Sequence, residues 1–362
     1  MDRRTLLKTA GVGALATGAA ITGAPAIAKG IKQWRMQMTW RRNSPLLATG
    51  PEIVADYINK ASNGRLELKL YAAGELVSPF ETMDAVADGT LHMGHGYAGY
   101  WAGKQPAVQF FSPVPFGMTS QEQNAWLHYG GGQAIADKIY GAMGVKFLPG
   151  GNTSVQAAGW YNKELNRIED FKGLKIRSTG IGAKVLSEIG GIPVQMPLGE
   201  VPQGLQAGVI DGADFVGPYN DMAFGLHKVA KHYYWPGWME PSAILDCFVN
   251  QDAWNSLDKD LQSIVEGANA MANQMVLSEF VYKNAQAVKI LKEEQNVDFR
   301  TLDDATLIAL GKVSHQVMAD VGNTDSLSKE AYASFNDFMT TVRPYTELSE
   351  MRYLDARAKL FR

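Results

Sequence analysis

Trp34, Met36, Met38 and Trp40 alternate with polar residues, a period of two that predicts a strand. Residues Pro51 to Ala61 then carry apolar side chains at helical spacing until Asn63-Gly64 ends the run. Leu66 to Tyr71 reads as the next strand, Phe80 to Ala87 as a helix stopped at Gly89, and Leu91 to Gly94 as a short buried strand. This β-α-β-α-β order predicts a parallel, helix-covered sheet with its ligand crevice at the carboxyl ends of the strands. The rhythm restarts after a helix expected over Gln121 to Met143. Strands follow at Val145 to Leu148, Val155 to Tyr161, Leu174 to Ser178 and Val194 to Met196, with helices at Gly182 to Ile189 and Glu200 to Ala207. Two such units imply an α/β protein of two lobes. No linker rich in Pro or Ser separates them, so the chain is expected to cross on ordered strands near 150–154 and 241–250. A long helix over Leu257 to about Glu294 and helices near 304–321, 329–341 and 348–360 complete the pattern.

The first thirty residues differ in kind. Arg3-Arg4-Thr5-Leu6-Leu7-Lys8 is a basic head, followed by an uncharged Ala/Gly/Thr-rich stretch ending Ala26-Ile27-Ala28. This layout predicts a twin-arginine signal peptide over residues 1–28 and hence a periplasmic protein. Five Gly or Pro residues between Gly11 and Pro25 argue against a membrane span there. Removing the segment takes away three basic residues and one acid, so the formal charge of −3 becomes more negative. A chain with no basic surplus is not expected to bind nucleic acid. The single cysteine, Cys247, reads as a buried thiol.

Motifs for catalysis are sparse. There is no GxSxG elbow and no CxxC, and Gly99 to Gln105 falls one residue short of a phosphate loop. His92 and His95 are three apart across a strand end, which points them to opposite sides of the sheet rather than at one metal. What remains is a set of polar residues among aromatics: Gln156 within an apolar strand, Arg177 after Leu174-Lys175-Ile176, Asp214 before Phe215, and Glu240 after Trp235 to Met239. An arginine and carboxylates at strand ends suggest a small-anion site, since the guanidinium fork donates two parallel hydrogen bonds to a carboxylate and keeps its charge.

At these residues the chain resembles a known family. Gly159-Trp160, Asp170 to Arg177, Glu200-Val201 and Leu205 to Gly212 resemble the solute-binding subunits of tripartite ATP-independent periplasmic (TRAP) transporters, as do Gly74-Glu75-Leu76 and Gly89 to Gly94. His92 stands where the family commonly has Asp, and Gly204 where Ala is usual. Phe215 to Asp221 and the aromatic run 233–238 look most like the branch that binds 2-oxo acids. The resemblance implies a two-lobed, type II-like periplasmic binding protein with crossing strands and long C-terminal helices. Lobe I would take residues 29–153 plus about 242–282, and lobe II residues 154–241 plus about 283–310. Residues 311–362 would form C-terminal helices that could pair two copies into a homodimer.

The same resemblance assigns roles. Arg177 would clamp the ligand carboxylate, with Gln156, Asn220, Tyr100, Trp238 and Phe215 also on the substrate. A bridging cation would take the Gln156 side-chain oxygen, the Asp214 carboxylate, the Phe215 carbonyl and Glu240, all hard donors suited to Na⁺ or Ca²⁺. Tyr97, Trp101 and Tyr219 are further candidates for the pocket wall. The implied function is capture of a small 2-oxo or 2-hydroxy monocarboxylate, such as pyruvate, lactate or a branched-chain relative, for membrane-embedded TRAP subunits. A periplasmic metal-dependent lyase or hydrolase acting on 2-oxo acids is the alternative.

Overall fold

The computed structural model describes residues 30–360, so the expected signal peptide lies outside the described residues. The strands in chain order are β1 (Lys32–Met38), β2 (Leu66–Tyr71), β3 (Met93–Tyr97), β4 (Val145–Asn152), β5 (Gly159–Tyr161), β6 (Lys175–Arg177), β7 (Ile192–Val194), β8 (Gly212–Ala213), β9 (His232–Trp235), β10 (Ile244–Asn250) and β11 (Asp298–Thr301). They form two sheets, one ordered β2-β1-β3-β10-β4 and the other β11-β9-β5-β8-β6-β7. In the first sheet β1 runs parallel to both β2 and β3, as the β-α-β-α-β pattern requires, and β10 enters antiparallel between β3 and β4. Each sheet with its helices is one lobe.

The chain leaves the first sheet after β4 and returns to it at β10. The crossings are residues 153–158 and 236–243, displaced from the expected positions because β4 and β10 are full strands of the first sheet. The two crossings lie side by side: the amides of Thr153, Gln156 and Ala158 donate to the carbonyls of Ala243, Glu240 and Tyr234 at 3.0, 3.1 and 2.9 Å. Gly237 is required here, since a Cβ would sit 2.0 Å from the Gln156 carbonyl oxygen. The strand expected over 155–161 is shortened accordingly to Gly159–Tyr161. Ser154, with φ of 62°, turns the chain before it, and Val155 is left 43% exposed.

One helix, Lys259–Glu293, packs on both lobes, against β4 and the helix Thr49–Ala61 of the first and the helix Pro218–Ala223 of the second. Its buried side chains Leu261, Val265, Ala268, Ala272, Val276 and Phe280 recur every three or four residues, the spacing that keeps one face of a helix covered. The helix expected over 121–143 is instead two, Ser120–His128 and Gly132–Gly141. Gly130-Gly131 breaks it, with Gly131 at φ 85°, a conformation that only glycine adopts without strain. After β11 the chain forms the helices Asp304–Gly322 and Ser326–Thr346. A wide turn over Glu347–Met351 continues the second into Arg352–Leu360. No described helix is long and apolar enough to cross a membrane.

Candidate functional site

The crossings and the strand ends of both lobes line a cleft with about 300 Å³ of space, part of it open to solvent. Its polar wall is Thr153, Gln156, Arg177, Thr179 and Glu240, and Tyr97 and Tyr100 stand over it. The rest is apolar, with Trp40, Leu47 and Leu245 from the first lobe and Leu198, Phe215 and Val216 from the second. Arg177 ends β6, where pairing with β8 puts its backbone beside Asp214; the Asp214 amide donates to the Arg177 carbonyl at 3.0 Å. The Arg177 side chain is 3% exposed and tethered twice, Nη1 to the Asp214 carbonyl at 2.8 Å and Nε to the Met196 carbonyl at 3.4 Å. The rest of the fork is left for the cavity, close to the Tyr100 hydroxyl, whose pKa burial pushes up to about 12.

Facing Arg177 is a group of oxygens short of hydrogen. Gln156 donates through Nε2 to Thr153 Oγ1 at 3.0 Å, and its Oε1, buried, accepts from nothing. Both carboxylate oxygens of Asp214 are buried without a donor. Glu240 adjoins Asp214 and accepts from the Tyr97 hydroxyl at 2.7 Å. Burial, and then the neighbouring Glu240, raise the Asp214 pKa far above the carboxylate range; burial raises Glu240 as well, against the bond from Tyr97 and the charge of Arg177. Orphaned acceptors of this kind are expensive unless something positive completes them. Among the described residues no three His, Cys, Asp or Glu side chains gather around one point. A cation here would need the Gln156 amide, backbone carbonyls and ligand oxygens beside the two carboxylates, the donor set of a hard ion.

The structure thus brings Gln156, Arg177, Tyr97, Tyr100, Phe215 and Glu240 to one cavity, with Asp214 against Arg177 and Glu240. It places the other candidates elsewhere. Trp238 is 3% exposed and stacks on Phe116 at 6.0 Å, and Asn220 donates through Nδ2 to the Pro45 carbonyl of the first lobe at 2.7 Å. Trp101 is fully buried and donates to Asp246 at 3.0 Å, and Tyr219 packs beneath Lys283. His92 and His95 have separate protein partners. His92 stacks on Trp34, while His95 is wholly buried between the Trp40 indole N–H at 3.1 Å and the Gly150 carbonyl at 3.2 Å. Burial pushes the His95 pKa down to about 4, so it is neutral and holds Trp40 in the cavity wall. Cys247 is buried, and burial raises its thiol pKa.

Sequence reasoning did not single out Trp40, Leu47, Thr153, Thr179 or Leu198. For Trp40 a signal existed, since it closes the alternation of β1 at the carboxyl end of a parallel strand, where ligands bind. The leucines carry none.

Two α/β lobes joined by paired crossings, closing on a cleft with a buried arginine and orphaned acceptors, define an extracytoplasmic solute receptor. The chain belongs to family 7 of the bacterial extracellular solute-binding proteins, whose family model matches residues 36–325. It is 36% identical over 359 residues, 98% of each chain, to a monocarboxylate 2-oxoacid-binding periplasmic protein of Nostoc sp. (strain PCC 7120). Among solved structures it resembles a TRAP periplasmic solute-binding protein of Pseudoalteromonas atlantica T6c with bound sodium and pyruvate. That match has a TM-score of 0.87 and 35% identity, covering 90% of this chain and 99% of that one. A second, from Colwellia psychrerythraea with bound calcium and pyruvate, matches with TM-score 0.87 and 36% identity, covering 90% and 100%. A third, from Bordetella bronchiseptica RB50, is a mixed-occupancy dimer with copurified calcium and picolinate in one site; it matches with TM-score 0.88 and 30% identity, covering 92% and 99%.

Proposed function

We propose that the protein is the periplasmic receptor of a TRAP transporter and that it holds a short 2-oxo monocarboxylate, pyruvate first among them, against a bridging Na⁺ or Ca²⁺. The observation that carries this reading is the pairing of the buried Arg177 guanidinium, tethered through Nη1 and Nε to backbone carbonyls, with the donorless oxygens of Gln156 and Asp214 beside Glu240. Arg177 would take the ligand carboxylate. Gln156, Asp214, Glu240 and the Phe215 carbonyl would hold the cation, which supplies positive charge to the ligand oxygens. Asp214, Glu240 and the ligand carry three negative charges, and Arg177 with Ca²⁺ balances them, which favours Ca²⁺ in a closed cleft. The apolar remainder suits a short tail and offers no row of donors for sugar hydroxyls.

The ligand leaves unchanged in this reading. The ionisable groups lining the cavity are Arg177, Glu240, Tyr97 and Tyr100; burial raises both tyrosines, and Glu240, which accepts from Tyr97, would be committed to the cation, so none is left to move a proton on the ligand. Capture is by rotation of the lobes about the crossings, and the closed form is what the membrane subunits recognise. Export would use Arg3 and Arg4. A homodimer is supported by the C-terminal helix, where Tyr345, Leu348, Met351 and Leu360 are 57–80% exposed, and truncation after Tyr345 should lower the mass in solution to that of one chain.

The test is calorimetric titration of chelator-treated protein with pyruvate, alone and with Ca²⁺ or Na⁺. Binding should need the cation, and pyruvate should be recovered chemically intact. Ligand at a hundred times its Kd should add about 2.7 kcal/mol of stability. Arg177→Met should remove pyruvate binding by about a thousandfold while the fold persists, because a buried charge-assisted pair is lost. Stabilisation by a dicarboxylate or sugar acid and not by any monocarboxylate would overturn the reading.

A further inference from the structure

We infer that Leu47 and Leu198, carried by opposite lobes, form a gate that sets the longest ligand tail the closed receptor accepts. The inference rests on the 2-oxo acid reading and adds to it a chain-length limit and the residues that impose it. Beyond the ligand cavity lies a larger space of about 740 Å³, part of it open to solvent, and the two share three wall residues, Trp40, Leu47 and Leu198. Trp40 is pinned by its bond to His95 and belongs to the first lobe, so the movable part of the partition is the leucine pair. Leu47 is 2% exposed and Leu198 half-buried, the first leucine at the end of the loop after β1 and the second opening the turn Leu198–Glu200.

Two contacts between the lobes flank this pair. The Asn220 side chain of the second lobe donates to the Pro45 carbonyl, two residues before Leu47. The loop it grips is strained at Leu46, with φ of 61°, a conformation that a leucine holds only when its surroundings impose it. On the other flank the Arg41 guanidinium lies directly on Gly199, where a Cβ would overlap it. The turn carrying Leu198 therefore docks on the loop carrying Leu47, and the two leucines wall off the same two spaces only when the lobes are closed this far. A tail that ends short of them is sealed in. A longer one must either keep them apart, at the expense of both flanking contacts, or displace them.

Leu198→Ala should join the two spaces, and Leu198→Phe should tighten the partition. The experiment is titration of wild type and both variants with pyruvate, 2-oxopentanoate and 2-oxooctanoate in Ca²⁺ buffer, with thermal melts to check folding. Wild type should prefer pyruvate to 2-oxooctanoate by a hundredfold or more. Leu198→Ala should shrink that preference at least tenfold, read as the ratio of the two dissociation constants whatever happens to either alone, and Leu198→Phe should weaken 2-oxopentanoate relative to pyruvate. Wild type that binds 2-oxooctanoate as tightly as pyruvate overturns the gate, as do folded variants with unaltered preferences. Wild type that binds none of the three acids overturns the 2-oxo acid reading itself, and the gate with it.

Discussion

Asp214 and Asp221 belong to the same lobe and are each 1% exposed, yet their surroundings are opposite. Asp221 accepts from the Trp160 indole at 2.8 Å, the Tyr233 hydroxyl at 2.8 Å and the Gly217 amide at 2.8 Å. Asp214 accepts from no donor at either oxygen. The pocket around Asp221, where Trp160 and Tyr233 stack at 4.1 Å, is finished by the chain itself. The cleft around Asp214 is left unfinished by it. The difference teaches that burial alone does not mark a functional carboxylate; burial without donors does, because evolution of a merely structural pocket would have supplied them or removed the charge.

Substitution separates the two. Asp221→Ala should cost about 3 kcal/mol in urea unfolding, because three buried donors lose their partner at once. A loss below about 0.5 kcal/mol would erase the contrast. The pH dependence of stability sharpens it. Burial raises the Asp221 pKa from the ordinary 3.8 to about 7. Between those values the unfolded chain has released the proton and the folded one keeps it, so stability is fully present below pH 4 and declines as pH rises toward 7. Asp221→Asn should remove up to about 1.4 kcal/mol per pH unit from that slope. Asp246 is raised in the same direction, so some slope remains in the variant. The smallest effect belongs to Asp214→Asn, which should change the stability of chelated protein by no more than about 1 kcal/mol, since without a cation burial and Glu240 already hold this carboxyl in its neutral form, which the amide mimics. The same variant should lose the stabilisation that Ca²⁺ confers on wild type, read as the shift in Tm.

The polar half of this site was legible before any coordinates, for a physical reason. Arg177, Asp214 and Glu240 are charges set among apolar and aromatic neighbours, and such charges are tolerated only where they are paired or used. The β-α-β-α-β order and the helix Lys259–Glu293 were equally readable from their periods. The apolar half was not. Leu47 and Leu198 look like any core leucine, because a side chain lining a cleft and one filling a core obey the same pattern. Trp238 and Asn220 sit in segments that resemble a ligand-binding branch, yet they line no part of the cavity: Trp238 stacks on Phe116 and Asn220 donates to Pro45, with the Trp238 Nε1 and Asn220 Oδ1 atoms left buried and unpaired. The strand β8 is only two residues long, too short for any period to show, although it is what sets Asp214 beside Arg177.

The paired crossings carry a mechanical consequence. Gln156 and Glu240 sit on the two strips of backbone about which the lobes must turn, bonded amide to carbonyl at 3.1 Å. Hinge and grip are therefore the same few peptide units, with almost no lever arm between them. On the proposed reading, any torque that a docking partner applied to the lobes would be delivered undiluted to the oxygens around the cargo, so prying the jaws open and loosening the ion's hold would be one movement.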